Sequence, residues 1–152
     1  MKIQLSQERI APEHLTVWNA HGPSVDMVMD LKHLTFRKDS IEQVCAFHVL
    51  DGLFPDEVKT AITNWRECLK PGGKLYIVVD DFEYIARAFV GGDISLEVFN
   101  EHHAHPTQFD RKALGDLLIS SGFPEPGVKI WFDGVAGLFP KKHYELIIEA
   151  TK

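Results

Sequence analysis

The chain has 152 residues, 45% of them hydrophobic and 25% charged, with a formal net charge of -6. That composition suits one globular domain over residues 1–152, and the absence of a basic cluster argues against nucleic-acid binding. No apolar run approaches membrane-spanning length and no signal-peptide core opens the chain, so a cytoplasmic protein away from membranes is expected.

In chain order, Met1 to Leu5 reads as a first strand and Leu15 to Asn19 as a second. Nine residues lie between them, interrupted by Pro12, which is too short for a full crossover helix. Gln43 to Phe47 reads as a short buried strand. A helix follows: Pro55 suits the first turn, and Asp56 and Glu57 place negative charge where the helix dipole favours it. Val58, Ala61, Ile62, Trp65, Cys68 and Leu69 form its apolar stripe. Pro71-Gly72-Gly73 is expected to end that helix, and Leu75 to Val79 reads as a central parallel strand covered on both faces. Strand, helix, turn and strand make a right-handed crossover unit.

Asp80-Asp81 comes next, at the end of a strand where α/β proteins place ligands. One of the pair is expected to cap a helix with Phe82, Ile85, Ala86 and Phe89 on one face; the other stays open. Gly91-Gly92 is a helix stop or the hinge of a lid. Glu101-His102-His103-Ala104-His105 is read as a solvated or pocket-lining loop. A structural zinc needs four ligands and no partner set is evident, so no metal is expected there. Asp110 is expected to cap a helix carrying Leu114, Leu117 and Leu118, closed by Gly122. Val128 to Phe132 and Tyr144 to Ala150 read as strands, with Gly134, Gly137 and Pro140 in the loop between. Trp131, Phe132, Leu138 and Phe139 suit a homodimer contact or core packing equally. Cys45 and Cys68 are expected to be buried free thiols.

Leu69-Lys70-Pro71-Gly72-Gly73-Lys74-Leu75, in its helix-to-strand setting, resembles the turn after the fourth-strand helix of class I S-adenosylmethionine-dependent methyltransferases. Ser40 to Leu50, Ser121-Gly122-Phe123 and Leu146 to Lys152 are similar to the strand before it, the end of the last helix and the closing strand. The resemblance implies an α/β, Rossmann-like methyltransferase fold. Its sheet is mostly parallel with an antiparallel C-terminal strand, helices cover both faces, and the first crossover helix is shortened or absent. It also implies a compact, type 11-like member with S-adenosylmethionine as cofactor.

The cofactor residues that the resemblance implies are Leu5, Ser6 and Gln7 after the first strand, Asn19 after the second, Asp30 and Leu31 at the end of the third, and Phe47 at the end of the fourth. The pattern departs from the family in two places. No glycine precedes Gly22, and Glu8 brings negative charge to the loop that should receive the cofactor's carboxylate. Asn19 stands where relatives carry the acidic residue for the ribose hydroxyls. Catalytic candidates are His48 at the fourth-strand tip, Asp81, and His102 or His105 as a general base.

Three functions stay open. One is methyl transfer to a small-molecule acceptor, which needs mainly alignment. Another is a non-catalytic scaffold that has lost the cofactor and binds a protein partner or metabolite. The third is a different enzyme built on the His segment and strand-tip carboxylates.

Overall fold

A computed structural model of the chain describes residues 1–131 and 144–152. Seven strands form one sheet: β1 Lys2–Leu5, β2 Leu15–Trp18, β3 Met27–Val28, β4 Ile41–Phe47, β5 Leu69–Asp80, β6 Val128–Trp131 and β7 Glu145–Thr151. Their order is β3-β2-β1-β4-β5-β7-β6. The first five run parallel, and β7 pairs antiparallel with both β5 and β6. Four helices accompany it: α1 Pro55–Cys68, α2 Phe82–Gly91, α3 Leu96–His103 and α4 Arg111–Ser120. This is the expected mostly parallel, Rossmann-like arrangement with an antiparallel C-terminal end.

Strand alternation sorts the core onto two faces. Val44 and Ala46 of β4 join Ile3, Leu5, Leu75, Ile77, Ile148 and the stripes of α1 and α4 in the main core. Cys45 and Phe47 face the other way and pack with Tyr76, Val78 and Ile147. Both cysteines are buried free thiols. In α1 the stripe is the expected one, with Val58, Ala61, Ile62, Trp65 and Cys68 buried. Trp65 is fully enclosed, and its indole N–H donates to the Leu31 carbonyl at 2.7 Å. Removing such a side chain costs about 3–5 kcal/mol.

Helix α1 stops at Cys68, three residues before Pro71. Leu69 is already extended, with ψ 139°, because a residue ahead of proline is pushed out of the helical region and Lys70 must begin the turn. Gly72 takes φ +75°. A Cβ on Gly73 would lie 2.9 Å from the Lys70 carbonyl and 3.2 Å from those of Ile41 and Glu42, so only glycine fits beside β4.

No helix links β1 to β2. The buried Gln4 side chain organises residues 6–14 instead. Its oxygen accepts the N–H groups of Ile10 (3.2 Å) and Ala11 (2.7 Å), while its Nε2 donates to the Glu8 carbonyl (3.2 Å) and Thr16 Oγ1 (2.8 Å). One amide thus replaces the internal hydrogen bonds that a crossover helix would have made for itself.

Two expectations are corrected. The third strand is only two residues long and ends before Asp30, because Asp30 forms a turn in which its own Oδ1 accepts the Lys32 N–H. The His102–His103 pair is the last turn of α3 and not a loop, because Ser95 caps that helix through the Val98 N–H. Gly92 ends α2 in the left-handed conformation, φ +82°, as a plain helix stop. Asp110 and Gly122 bound α4 as expected. Phe132, Leu138, Phe139 and the glycines and Pro140 between the last strands lie outside the described residues.

Candidate functional site

The sheet reverses its order of growth at β1, with β2 on one side and β4 on the other. Ligands of open α/β sheets bind in the crevice at the carboxyl ends of such strands. Here that crevice is a cavity of about 790 Å³, within the usual range for small-molecule sites. Gln7 after β1, Trp18 of β2 and Asn19 just past it, Asp30 to Lys32 after β3, His48, Val49 and Leu53 after β4, and His105 line it. A second cavity, of about 640 Å³, shares the Gln7 and Trp18 wall and continues to Glu8, Arg9 and His21.

The β1 loop directs its polar groups into the protein. The Ser6 N–H donates to the Val17 carbonyl, the Glu8 N–H to Ser6 Oγ, and those of Ile10 and Ala11 to Gln4. Arg9 gives its guanidinium to both Asp26 oxygens, at 2.7 and 2.6 Å. Asp26 also accepts the Thr16 N–H. That backbone bond, with Arg9, holds the Asp26 carboxyl below its usual pKa.

The other end of the crevice is a network of imidazoles and acids. His48, in the left-handed region at φ +49°, places Nδ1 3.1 Å from Asp51 Oδ2 and Nε2 3.2 Å from Glu145 Oε1. Burial works against its charge. The bonds to Asp51 and Glu145, with the charges of Asp51 and Asp80, outweigh that and carry its pKa up to about 10. An imidazolium with both nitrogens engaged is a clamp between β4 and β7, not a base. Asp80 is the second hub: His102 Nδ1 lies 2.6 Å away, with His48 and His105 nitrogens each at 3.9 Å. Asp81 is the capping member of its pair, accepting the Tyr84 N–H at 3.3 Å.

Of the residues singled out by sequence, Gln7, Asn19, Asp30, Leu31, His48 and His105 therefore line one cavity. Leu5 lies in the main core, and Ser6 is buried with its hydroxyl held to the Glu8 amide. Phe47 packs on the opposite face of the sheet. His102 is half-buried against Asp80 and the Tyr144 ring. Sequence reasoning missed Gln4, Trp18 and Glu145. An interior glutamine in a short apolar strand and an acid heading an apolar run were the signals available. Among the described residues, no group of three or more His, Cys, Asp or Glu side chains is arranged to hold a metal. No described helix is long and apolar enough to cross a membrane.

A family model described as a methyltransferase domain matches residues 4–77, from β1 through the Lys-Pro-Gly-Gly turn into β5. Over those residues the chain is similar to methyltransferase domains, and its fold is the Rossmann-like one of S-adenosylmethionine-dependent methyltransferases. Among similar solved structures is a SAM-dependent methyltransferase from Archaeoglobus fulgidus, 15% identical, covering 92% of this chain and 76% of that one, with a TM-score of 0.64. A possible histamine N-methyltransferase from Thermotoga maritima is 17% identical, covers 90% and 72%, and scores 0.62. A Burkholderia thailandensis 1,6-didemethyltoxoflavin-N1-methyltransferase, with S-adenosylhomocysteine bound, is 16% identical, covers 91% and 61%, and scores 0.57. At these identities the likeness is one of fold. No curated protein sequence matches the chain. The methyltransferase-like fold thus accounts for the crevice and its place on the sheet, while the residues that line it are this chain's own.

Proposed function

We propose that this methyltransferase-fold chain is a binding protein. On this reading it holds a small molecule at the carboxyl edge of its sheet and does not by itself use S-adenosylmethionine. The observation that carries the reading is the state of the β1 loop. S-adenosylmethionine has a carboxylate, which needs a cation or a group of free amides. Here Arg9 is bound to Asp26, the loop amides of Ser6, Glu8, Ile10, Ala11 and His14 have internal partners, and the acidic Glu8, exposed, stands in the chain between Gln7 and Arg9. The lining therefore fits a nucleoside-sized body and does not fit the amino-acid end of the cofactor.

The second reading, methyl transfer to a small-molecule acceptor, is favoured by the size of the crevice and by Asp30-Leu31 on its wall. His105 would then be the candidate base, since both His48 nitrogens are engaged. Isothermal titration with S-adenosylmethionine and S-adenosylhomocysteine separates the two. The binding-protein reading expects no heat at ligand concentrations near 1 mM, about -4 kcal/mol. Micromolar binding of either compound would overturn it and bring methyl transfer forward.

A further inference from the structure

The basic groups around the crevice have acidic partners of their own. Lys32 gives its Nζ to Glu57 at 2.7 Å. His48 has Asp51 and Glu145, and Arg9, beyond the Trp18 wall, has Asp26. His105 turns Nε2 toward Asp80 at 3.9 Å. His21, in the second cavity, is the remaining basic group of the two linings.

The acids that line these cavities stand differently. Asp30 is exposed on the crevice wall. Its Oδ1 accepts the Lys32 N–H, and among the described residues no ion pair reaches its carboxylate. Glu8, across Gln7 in the second cavity, is exposed as well. Only its backbone is engaged, through Ser6 Oγ and Gln4 Nε2. An indole belongs to both walls, because Trp18 lines the two cavities together. Beside it in the main crevice are Met29, Leu31, Val49 and Leu53, so about half of the lining is apolar and can hold an organic body.

A half-apolar pocket with an aromatic wall, a carboxylate outside any described ion pair and rim cations already partnered attracts positive charge on an organic body. The indole face favours a cation through its quadrupole, and the carboxylate supplies the counter-charge. An anion would meet Asp30 with no cation free to receive it. We infer that the crevice takes an organic cation, an ammonium-bearing small molecule without a carboxylate, with Asp30 as its counter-ion and Trp18 as its wall. The inference rests on the reading of the chain as a binding protein, and it names the class of ligand.

Matched probe series provide the test. Phenethylamine, 2-phenylethanol and 3-phenylpropionate share one body and differ in the charged end; hexylamine, hexanol and hexanoate repeat the set without the ring. Each is titrated against the full chain by ligand-observed nuclear magnetic resonance. The expected result is binding of an amine at least about tenfold tighter than its alcohol, with no binding of the acid. The amine's advantage should shrink as salt is raised. Asp30→Asn keeps the Oδ1 acceptor for the Lys32 amide and removes only the charge. It should weaken the amine about tenfold and leave the alcohol unchanged.

Acids binding as well as amines, an unchanged amine affinity in Asp30→Asn, or no amine binding at about 10 mM each sink the inference. None of these depends on the cofactor titration. Micromolar S-adenosylmethionine binding would remove the binding-protein reading alone, and amine selectivity would then describe the acceptor side of the same crevice.

Discussion

His48 at the tip of β4 and Glu145 at the head of β7 are joined by a 3.2 Å contact between Nε2 and Oε1, across 97 residues of sequence. With Asp51 on the other nitrogen, that contact ties the last parallel strand pair to the antiparallel strand beside it. It also removes His48 from the list of bases, because neither ring nitrogen is left to accept a proton.

The clamp makes stability depend on pH on the alkaline side. The folded pKa of His48 is raised from 6.5 to about 10. Its contribution is therefore full below 6.5 and is lost as pH rises through about 10. His48→Gln keeps a polar side chain without the charge and should lower stability by on the order of 1–2 kcal/mol at pH 7, a figure reduced because the ring is partly open to solvent. The difference between wild type and variant in urea unfolding should shrink as pH goes from 7 to 10. A constant difference would mean that packing, and not the charge, carries the effect.

Gln4 should be among the residues least tolerant of change in the N-terminal third. It is fully buried, and its amide serves four groups of the β1 loop and β2. Gln4→Leu preserves volume but leaves the Ile10 and Ala11 N–H groups without their acceptor, at a cost of about 1–3 kcal/mol. Hydrogen exchange should quicken at those two amides before it changes in β4. Wild-type protection at Ile10 and Ala11 in the variant would show that another acceptor has taken over.

Asp80 should govern how firmly α3 is seated. That helix buries none of its residues. Its described attachments include the stack of Phe99 on Phe89 at 4.6 Å, the rings of Phe82 and Tyr144 against Phe99, His103 and His102, and the His102–Asp80 bond, with Gln108 donating to the carbonyls of His102, His103 and His105. Asp80→Asn should speed hydrogen exchange from Phe99 to His103 while the β5 amides keep their protection. Equal loosening of β5 would instead mark Asp80 as a support of the whole sheet edge.

Much of this fold is legible along the chain because local patterns and tertiary packing agree. The stripe of α1, the continuous run of β5 and the caps at Asp110 and Gly122 all rest on neighbours a few residues away, whereas which of Asp80 and Asp81 caps α2 was left to the structure. The missing first crossover helix could be read from the nine-residue gap before Leu15. What replaces it could not, since a glutamine bonding residues four to twelve positions ahead has no periodic signature. The His segment was misjudged for a related reason: a short polar helix depends on its Ser95 cap and on Phe99, not on a buried stripe.

The site divides in the same way. Gln7, Asn19, Asp30, Leu31 and His48 meet at one cavity because strand tips of a parallel sheet converge on one edge whatever fills them, and His105 joins them from beyond α3. Which of them remain available is a matter of partners contributed from distant parts of the chain. Sequence by itself determined the order of the strands and of the helices other than α3, the Gly72-Gly73 pair beside β4 and the absence of glycine in the β1 loop. Only the tertiary structure decided that Arg9 turns to Asp26, that Glu145 meets His48, and that no described residue forms an ion pair with Asp30. Those pairings depend on distances between residues far apart in the chain, and electrostatic interaction follows distance in space.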